Sequence, residues 1–252
     1  MTEAATASPL AGKVALVTGA TSGIGQAISL ELAKLGMRVA AVARRADRLQ
    51  ALKSRLGDQL LPLTADLRDL ARIPALFARI QEEWVGVDVL INNAGLGHET
   101  PLIGGSLDKW REMLDVNVLA LCVCTSEAVQ DMQRRGVAGH VIHISSMAAH
   151  RVPAGSGVYS ASKYAVRSLT EGLRQELREL GSPVRVSSIS PGYVETEFHQ
   201  NYFQSAERAR KAYSRYPALK PQDIAGSVRH ILEAPQHMQI HEILLRATEQ
   251  PE

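Results

Sequence analysis

Ser146, Tyr159 and Lys163 are spaced so that together they could move a proton on and off a carbonyl or alcohol oxygen. In Tyr159-Ser160-Ala161-Ser162-Lys163 the phenol and the amine are four residues apart, so on a helix both lie on one face, a single turn from each other. An ammonium held there favours the phenolate, which predicts a Tyr159 pKa below the usual ~10 and a proton donor and acceptor usable nearer neutral pH. Ser146, thirteen positions earlier, can present its hydroxyl to the same substrate oxygen. Ordinary packing also produces such Tyr/Lys pairs, with the ring against the core and the amine snorkelling to water. The rest of the chain has to decide between the two.

A site for a dinucleotide is written near the amino terminus. Residues 13–18, Lys-Val-Ala-Leu-Val-Thr, are a short β-branched and apolar run of the kind buried in a parallel sheet. The run leads into Gly19-Ala20-Thr21-Ser22-Gly23-Ile24-Gly25 and then into a helical pattern over 26–35. Glycines at such a junction allow a tight turn and a close approach of backbone to a pyrophosphate, which the helix N-terminus attracts. A strand before the loop and a helix after it make the motif far more specific than the glycines alone.

Three further segments complete a pattern. They are Asn92-Asn93-Ala94-Gly95, Asn117 within Asp115-Val116-Asn117-Val118, and Pro191-Gly192-Tyr193-Val194-Glu195-Thr196. With the Thr-Gly-x-x-x-Gly-x-Gly spacing and Tyr-x-x-x-Lys, they make the chain resemble the short-chain dehydrogenase/reductase family from about residue 10 to the end. No core position departs from the family pattern. The resemblance implies hydride transfer at a carbonyl or alcohol carbon, with Asn117, Ser146, Tyr159 and Lys163 as a catalytic tetrad. Tyr159 would serve as acid/base, Ser146 would orient the substrate oxygen, and Asn117 would hold a water linking Lys163 to solvent. Lys163 would bind the nicotinamide ribose and depress the tyrosine pKa. Ser145 stands beside Ser146, but the spacing to the tyrosine selects Ser146. The resemblance also assigns the coenzyme to Gly19, Ser22, Gly23, Ile24, Gly25, Asn93, Ala94 and Gly95, with Asp66 and Leu67 at the adenine and Pro191, Gly192, Val194 and Thr196 at the nicotinamide end.

The second candidate strand ends Ala41-Val42-Ala43-Arg44-Arg45. In dinucleotide folds an acid near this point bonds the ribose hydroxyl of NAD, whereas an arginine accommodates the 2′-phosphate of NADP. Ala43 stands where the acid would be, and Arg44 follows with a planar fork suited to a phosphate, with Arg45 behind it. NADP(H) is therefore the expected coenzyme and NAD(H) the alternative.

The elements that must position these residues alternate along the chain. Strand patterns fall at 13–18, 37–43, 60–65, 87–92, 139–145, 184–190 and 240–245, and helical patterns at 26–35, 48–56, 73–83, 107–133, 158–180 and 221–233. Such alternation predicts an α/β class, and with the resemblance a single-domain Rossmann fold: a doubly wound, seven-stranded parallel sheet with helices on both faces. Residues 10–252 form that domain in this reading, and 1–9 a disordered tail.

Composition narrows the function classes. A net charge of +2 dispersed along 252 residues argues against a nucleic-acid surface. No run approaches a membrane span, and a cytoplasmic enzyme without a metal is expected. Cys122 and Cys124 point about 200° apart on a helix and read as small buried hydrophobes. Residues 197–218, bracketed by Pro191-Gly192 and Pro217, carry Phe198, Tyr202, Phe203 and Tyr213 and predict a mobile substrate lid. The carboxyl-terminal stretch resembles a subgroup with clavulanate-aldehyde reductases, hydroxy-acid dehydrogenases and broad ketone or hydroxysteroid reductases. The substrate is expected to be a small carbonyl or alcohol compound. Helices 107–133 and 158–180 resemble those that pair family members into homodimers or homotetramers. A contrasting reading is an NADPH-sensing regulator of the same fold without significant turnover, against which the complete tetrad argues.

Overall fold

The structure is a computed structural model and describes residues 8–251. The expected tail at 1–9 therefore lies outside the described residues, except for Ser8 and Pro9. Seven strands form one sheet in the order β3-β2-β1-β4-β5-β6-β7, and every pairing is parallel. They are β1 (Val14–Thr18), β2 (Arg38–Ala43), β3 (Leu60–Thr64), β4 (Val89–Asn92), β5 (His140–Ile144), β6 (Arg185–Pro191) and β7 (Glu242–Leu245). The helices are α1 (Gly23–Lys34), α2 (Ala46–Leu56), α3 (Ile73–Trp84), α4 (Leu107–Leu114), α5 (Ala120–Arg135), α6 (Gly157–Glu179), α7 (Phe198–Phe203), α8 (Ala206–Tyr213) and α9 (Pro221–Glu233).

All five residues of β1 are buried, because helices cover both faces and successive side chains feed opposite cores. Ala15 and Val17 pack with Ile28 and Leu32 of α1 and Ile224 and Val228 of α9. Val14 and Leu16 pack with Phe77 and Ile80 of α3, Met132 of α5 and Leu177 of α6. The strand order reverses between β1 and β4, which opens a crevice at their carboxyl ends, where such folds bind ligands.

Three element bounds differ instructively from the sequence reading. The fourth strand starts at Val89 instead of 87, because the Val87 N–H donates to Asp131 Oδ2 at 2.8 Å rather than to a neighbouring strand. The first helix starts at Gly23, so its second and third glycines are helical rather than loop. The helix expected over 107–133 is broken into α4 and α5 by a π-helical turn, Asp115–Leu119. Such single-turn bulges re-aim a side chain and occur frequently at functional sites. Here the re-aimed residue is Asn117.

Candidate active site

Asn93 shapes the glycine loop from across the crevice. Its side-chain amide donates to the carbonyls of Thr18 (2.9 Å) and Gly19 (3.3 Å), while the backbone N–H groups of Asn93 and Ala94 donate to Thr18 Oγ1 at 3.0 and 2.9 Å. Gly19 adopts φ +66° and Gly23 φ +48°, both in the left-handed region that favours glycine. A Cβ on Gly25 would lie 2.3 Å from the Gly19 carbonyl oxygen and 2.4 Å from Asn93 Nδ2. Gly25 is thus a packing glycine, and unlike Gly19 and Gly23 it is not in the wall of the groove.

That groove, about 310 Å³, is lined by Gly19, Ser22, Gly23, Ile24, Arg44, Arg45, Asp66, Leu67, Asn93, Ala94, Gly95 and Thr196. These residues fit a dinucleotide: a glycine-lined floor at the start of α1, an Ser22 side chain that makes no capping bond to α1, and guanidinium groups at the end of β2. Two of the polar groups are already engaged. The Asp66 carboxylate accepts from Arg68 Nε at 3.0 Å, and that hydrogen bond holds it below the usual carboxylate range. Glu197 accepts from Arg48 at 2.8 Å and Arg45 at 3.2 Å, so the lid begins with an ion pair to the start of α2.

A second cavity of about 580 Å³ meets the groove at Gly95 and Thr196. Its wall carries Ser145, Ser146, Tyr159, Lys163, Pro191, Gly192 and Val194. Ser146 lies two residues past β5 and caps the turn Met147–Ala149, its Oγ accepting the Ala148 N–H at 3.1 Å. Tyr159 and Lys163 share one face of α6, as the spacing requires. Lys163 is buried, and its Nζ donates to the Ile144 carbonyl at 3.0 Å.

The expected depression of the tyrosine pKa is not what the geometry gives. Burial pushes the Tyr159 phenol up to about 12, with a hydrogen bond from Ser146 acting weakly the other way. The same burial pushes the Lys163 amine down to about 8, since a desolvated ammonium is disfavoured. Desolvation is the largest cause of both shifts.

Asn117 lines neither cavity. Its Oδ1 accepts the Leu96 N–H at 2.9 Å, and its Nδ2 donates to the Leu96 carbonyl (2.8 Å) and to Ser162 Oγ (3.0 Å). The side chain is a strut between the β4–α4 loop and the turn of α6 that carries Lys163. Ser162 in turn donates to the Tyr159 carbonyl at 2.6 Å.

Among the lid residues, Phe198, Tyr202 and Phe203 line the cavity. The Phe198 and Tyr202 rings stand 5.4 and 6.1 Å from that of Tyr159. Tyr213 does not reach the cavity; its hydroxyl lies behind α7 and accepts from the Thr196 N–H at 3.3 Å. Sequence reasoning missed Gly97, His199 and Gln250. A Cβ on Gly97 would sit 2.7 Å from Tyr202 and 2.9 Å from Phe198, so the lid closes on a bare backbone. Gln250 enters the cavity wall from the far end of the chain, its Oε1 accepting the Tyr193 N–H at 3.1 Å. Gly97, two residues beyond Asn-Asn-Ala-Gly, was a legible signal; Gln250 had none.

Among the described residues no His, Cys, Asp and Glu cluster could hold a metal, and no helix is long and apolar enough to cross a membrane. Known proteins resemble the chain in sequence and in fold. The short chain dehydrogenase family matches residues 13–207. Dehydrogenase/reductase SDR family member 11 of Bos taurus is 44% identical over 247 residues, covering 94% of this chain and 97% of the relative. Farnesol dehydrogenase of Aedes aegypti is 41% identical, covering 94% and 96%. The closed form of serine dehydrogenase complexed with NADP+ superposes with a TM-score of 0.90 at 36% identity, covering 95% of this chain and 96% of that one. With a doubly wound sheet, a glycine-floored groove and matching sequence over most of its length, the chain belongs to the short-chain dehydrogenase/reductase family.

Proposed function

We propose that the protein is an NADP(H)-dependent oxidoreductase of the carbonyl reductase or alcohol dehydrogenase type, with Tyr159 as the acid/base. The observation that carries this reading is the common wall of Ser146, Tyr159 and Lys163, in a cavity that opens at Gly95 and Thr196 into the dinucleotide groove. NADP(H) is favoured over NAD(H) because Arg44 and Arg45 line the groove where Ala43 replaces an acid, and because serine dehydrogenase was solved with NADP+. The coenzyme, when bound, supplies or accepts the hydride. The chain handles the proton. Tyr159, a phenol at neutral pH, donates to the substrate oxygen as it becomes an alkoxide. Ser146 already accepts the Ala148 N–H and so turns its own proton toward that oxygen. Lys163 holds ribose hydroxyls of the coenzyme, and Asn117 keeps α6 in register with the β4–α4 loop.

The aromatic wall of Phe198, Tyr202 and Phe203 supports an apolar ketone, aldehyde or alcohol over a small charged acid, in line with a relative that dehydrogenates farnesol. Residues 197–218 act as the lid, and the carboxyl-terminal stretch aligns the protein with the broad ketone and clavulanate-aldehyde reductase subgroup. Leu107, Leu114, Leu119 and Tyr164 are exposed on the helices expected to pair subunits, which supports a homodimer or homotetramer. Two free thiols and no disulfide among the described residues accord with a cytoplasmic setting. Incubation with NADPH and a panel of carbonyl compounds, followed by the loss of nicotinamide absorbance, tests the reading. Coenzyme binding without turnover on any carbonyl would instead mark a sensor.

A further inference from the structure

One ring in the cavity wall has no part in the proton transfer. His199, on α7, lines the cavity, and its Nδ1 lies 2.7 Å from Tyr213 Oη. Tyr213 Oη accepts the Thr196 N–H at 3.3 Å and lies 3.2 Å from the Thr196 carbonyl. The phenol has one proton and two acceptors in reach: an imidazole nitrogen at 2.7 Å and an amide oxygen at 3.2 Å. The shorter contact to the more basic acceptor takes the proton. His199 Nδ1 is then an acceptor, and the neutral ring carries its own proton on Nε2. Burial keeps the ring neutral, pushing its pKa down to about 4. Nε2 bonds none of the described residues. Its surroundings are the rings of Tyr193, Phe198 and Phe203, with centroids at 4.7, 5.5 and 5.6 Å, all of which line the same cavity. A donor on the cavity wall without a protein partner favours an occupant that supplies an acceptor over one that displaces solvent from it and does not.

We infer that His199 is a specificity-determining residue whose Nε2–H donates to a second oxygen on the substrate, away from the reacting carbonyl. The preferred substrate class is an apolar carbonyl compound bearing another acceptor oxygen. The inference deepens the reductase reading and rests on it for what enters the cavity. The relay begins at Thr196, which also lines the coenzyme groove, so one residue of the loop between β6 and α7 both shapes the groove and fixes the ring's tautomer. On the same wall Gln250 Oε1 is committed to the Tyr193 N–H, and Arg151 has a partner of its own.

The test compares straight-chain methyl ketones with diketones of the same length, by kcat/KM with NADPH and by calorimetric binding to the NADP+ complex. The wild type should prefer the diketone of fitting length by about tenfold, the size of one neutral hydrogen bond. His199→Phe keeps the aromatic cluster and should collapse the preference to within about twofold, the loss falling on KM rather than on kcat. His199→Gln, which restores a donor, should recover part of it. Tyr213→Phe removes the proton that fixes the tautomer and should weaken the preference; it carries the test if His199→Phe fails to fold. A preference that survives in His199→Phe, or a wild type without one, overturns the inference. Diketone binding that depends on His199 without any turnover would sustain it while overturning the reductase reading.

Discussion

Tyr159 is held between a buried setting that keeps its proton on and a Ser146 hydrogen bond that would ease its loss, with the Lys163 cation one helical turn away. Burial prevails, and the phenol stands near 12. The reductive rate should therefore stay level through neutral pH and fall only as pH nears the phenol's own pKa, where the donor is lost. A pH–rate profile of ketone reduction checks this; a fall starting near neutrality would mean that the cation outweighs burial in the working complex. Tyr159→Phe should keep coenzyme affinity and lose about 10²–10⁴-fold in kcat, the usual contribution of a positioned acid. Ser146→Ala should be severe and Ser145→Ala much milder, since only Ser146 reaches Tyr159. The residue types of this site were plain in the sequence, because a four-residue helical spacing fixes a shared face. The sign of the pKa shift was not, because desolvation depends on what the rest of the fold packs over the ring.

At the scale of elements, the lid is tied down at both ends by charge. Glu197 bonds Arg45 and Arg48, and Glu99 takes a bidentate pair from Arg208 at 2.6 and 2.7 Å. Each is exposed, and such pairs stabilise weakly and are screened by salt. Arg208→Ala should raise amide exchange across α7 and α8 while leaving α6 protected, as hydrogen-exchange mass spectrometry would read; unchanged exchange means that the aromatic packing alone holds the lid. At the other side of the groove, Ala43→Asp with Arg44→Leu adds an acid for the ribose hydroxyls and removes a phosphate partner. A charge-assisted bond of ~1.5–3 kcal/mol implies that the NADPH preference should fall roughly ten- to a hundredfold in kcat/KM. An unaltered preference would point to Arg45 as the reader. That residues 197–218 leave the strand pattern was legible from the proline and glycine that bracket them. Which rings face the substrate was not, since Tyr202 and Tyr213 are equally aromatic in sequence and only the turn between α7 and α8 sends one in and the other behind.

For the molecule as a whole, the parallel order of the sheet followed from alternating patterns, but two histidines buried within it did not. His140 and His143 lie in β5, their pKa values pushed down to about 3 by burial first, then by Arg185 for His140 and by Lys163 and Arg174 for His143. Below the ordinary value of 6.5 the unfolded chain binds protons that the folded one refuses until about 3. Stability present above 6.5 is thus lost as pH falls toward 3. Urea midpoints measured at successive pH values should show that decline, and His140→Gln, which can still bond Ser187, should make it shallower. A slope equal to that of the wild type would remove His140 from the account. The bonds from Asn93 to Thr18 and Gly19 carry a different consequence, one for the ribosome. The loop that opens the chain is folded by residues some 75 positions later, and the cavity is finished only when Gln250 meets Tyr193. A nascent chain accordingly emerges with its first and most glycine-rich segment unformed, and no coenzyme can reward early folding of that segment. Contacts this far apart close slowly. The groove can gain its ligand, and the stabilisation that ligand confers, only after β4 and Asn93 have followed β1 off the ribosome.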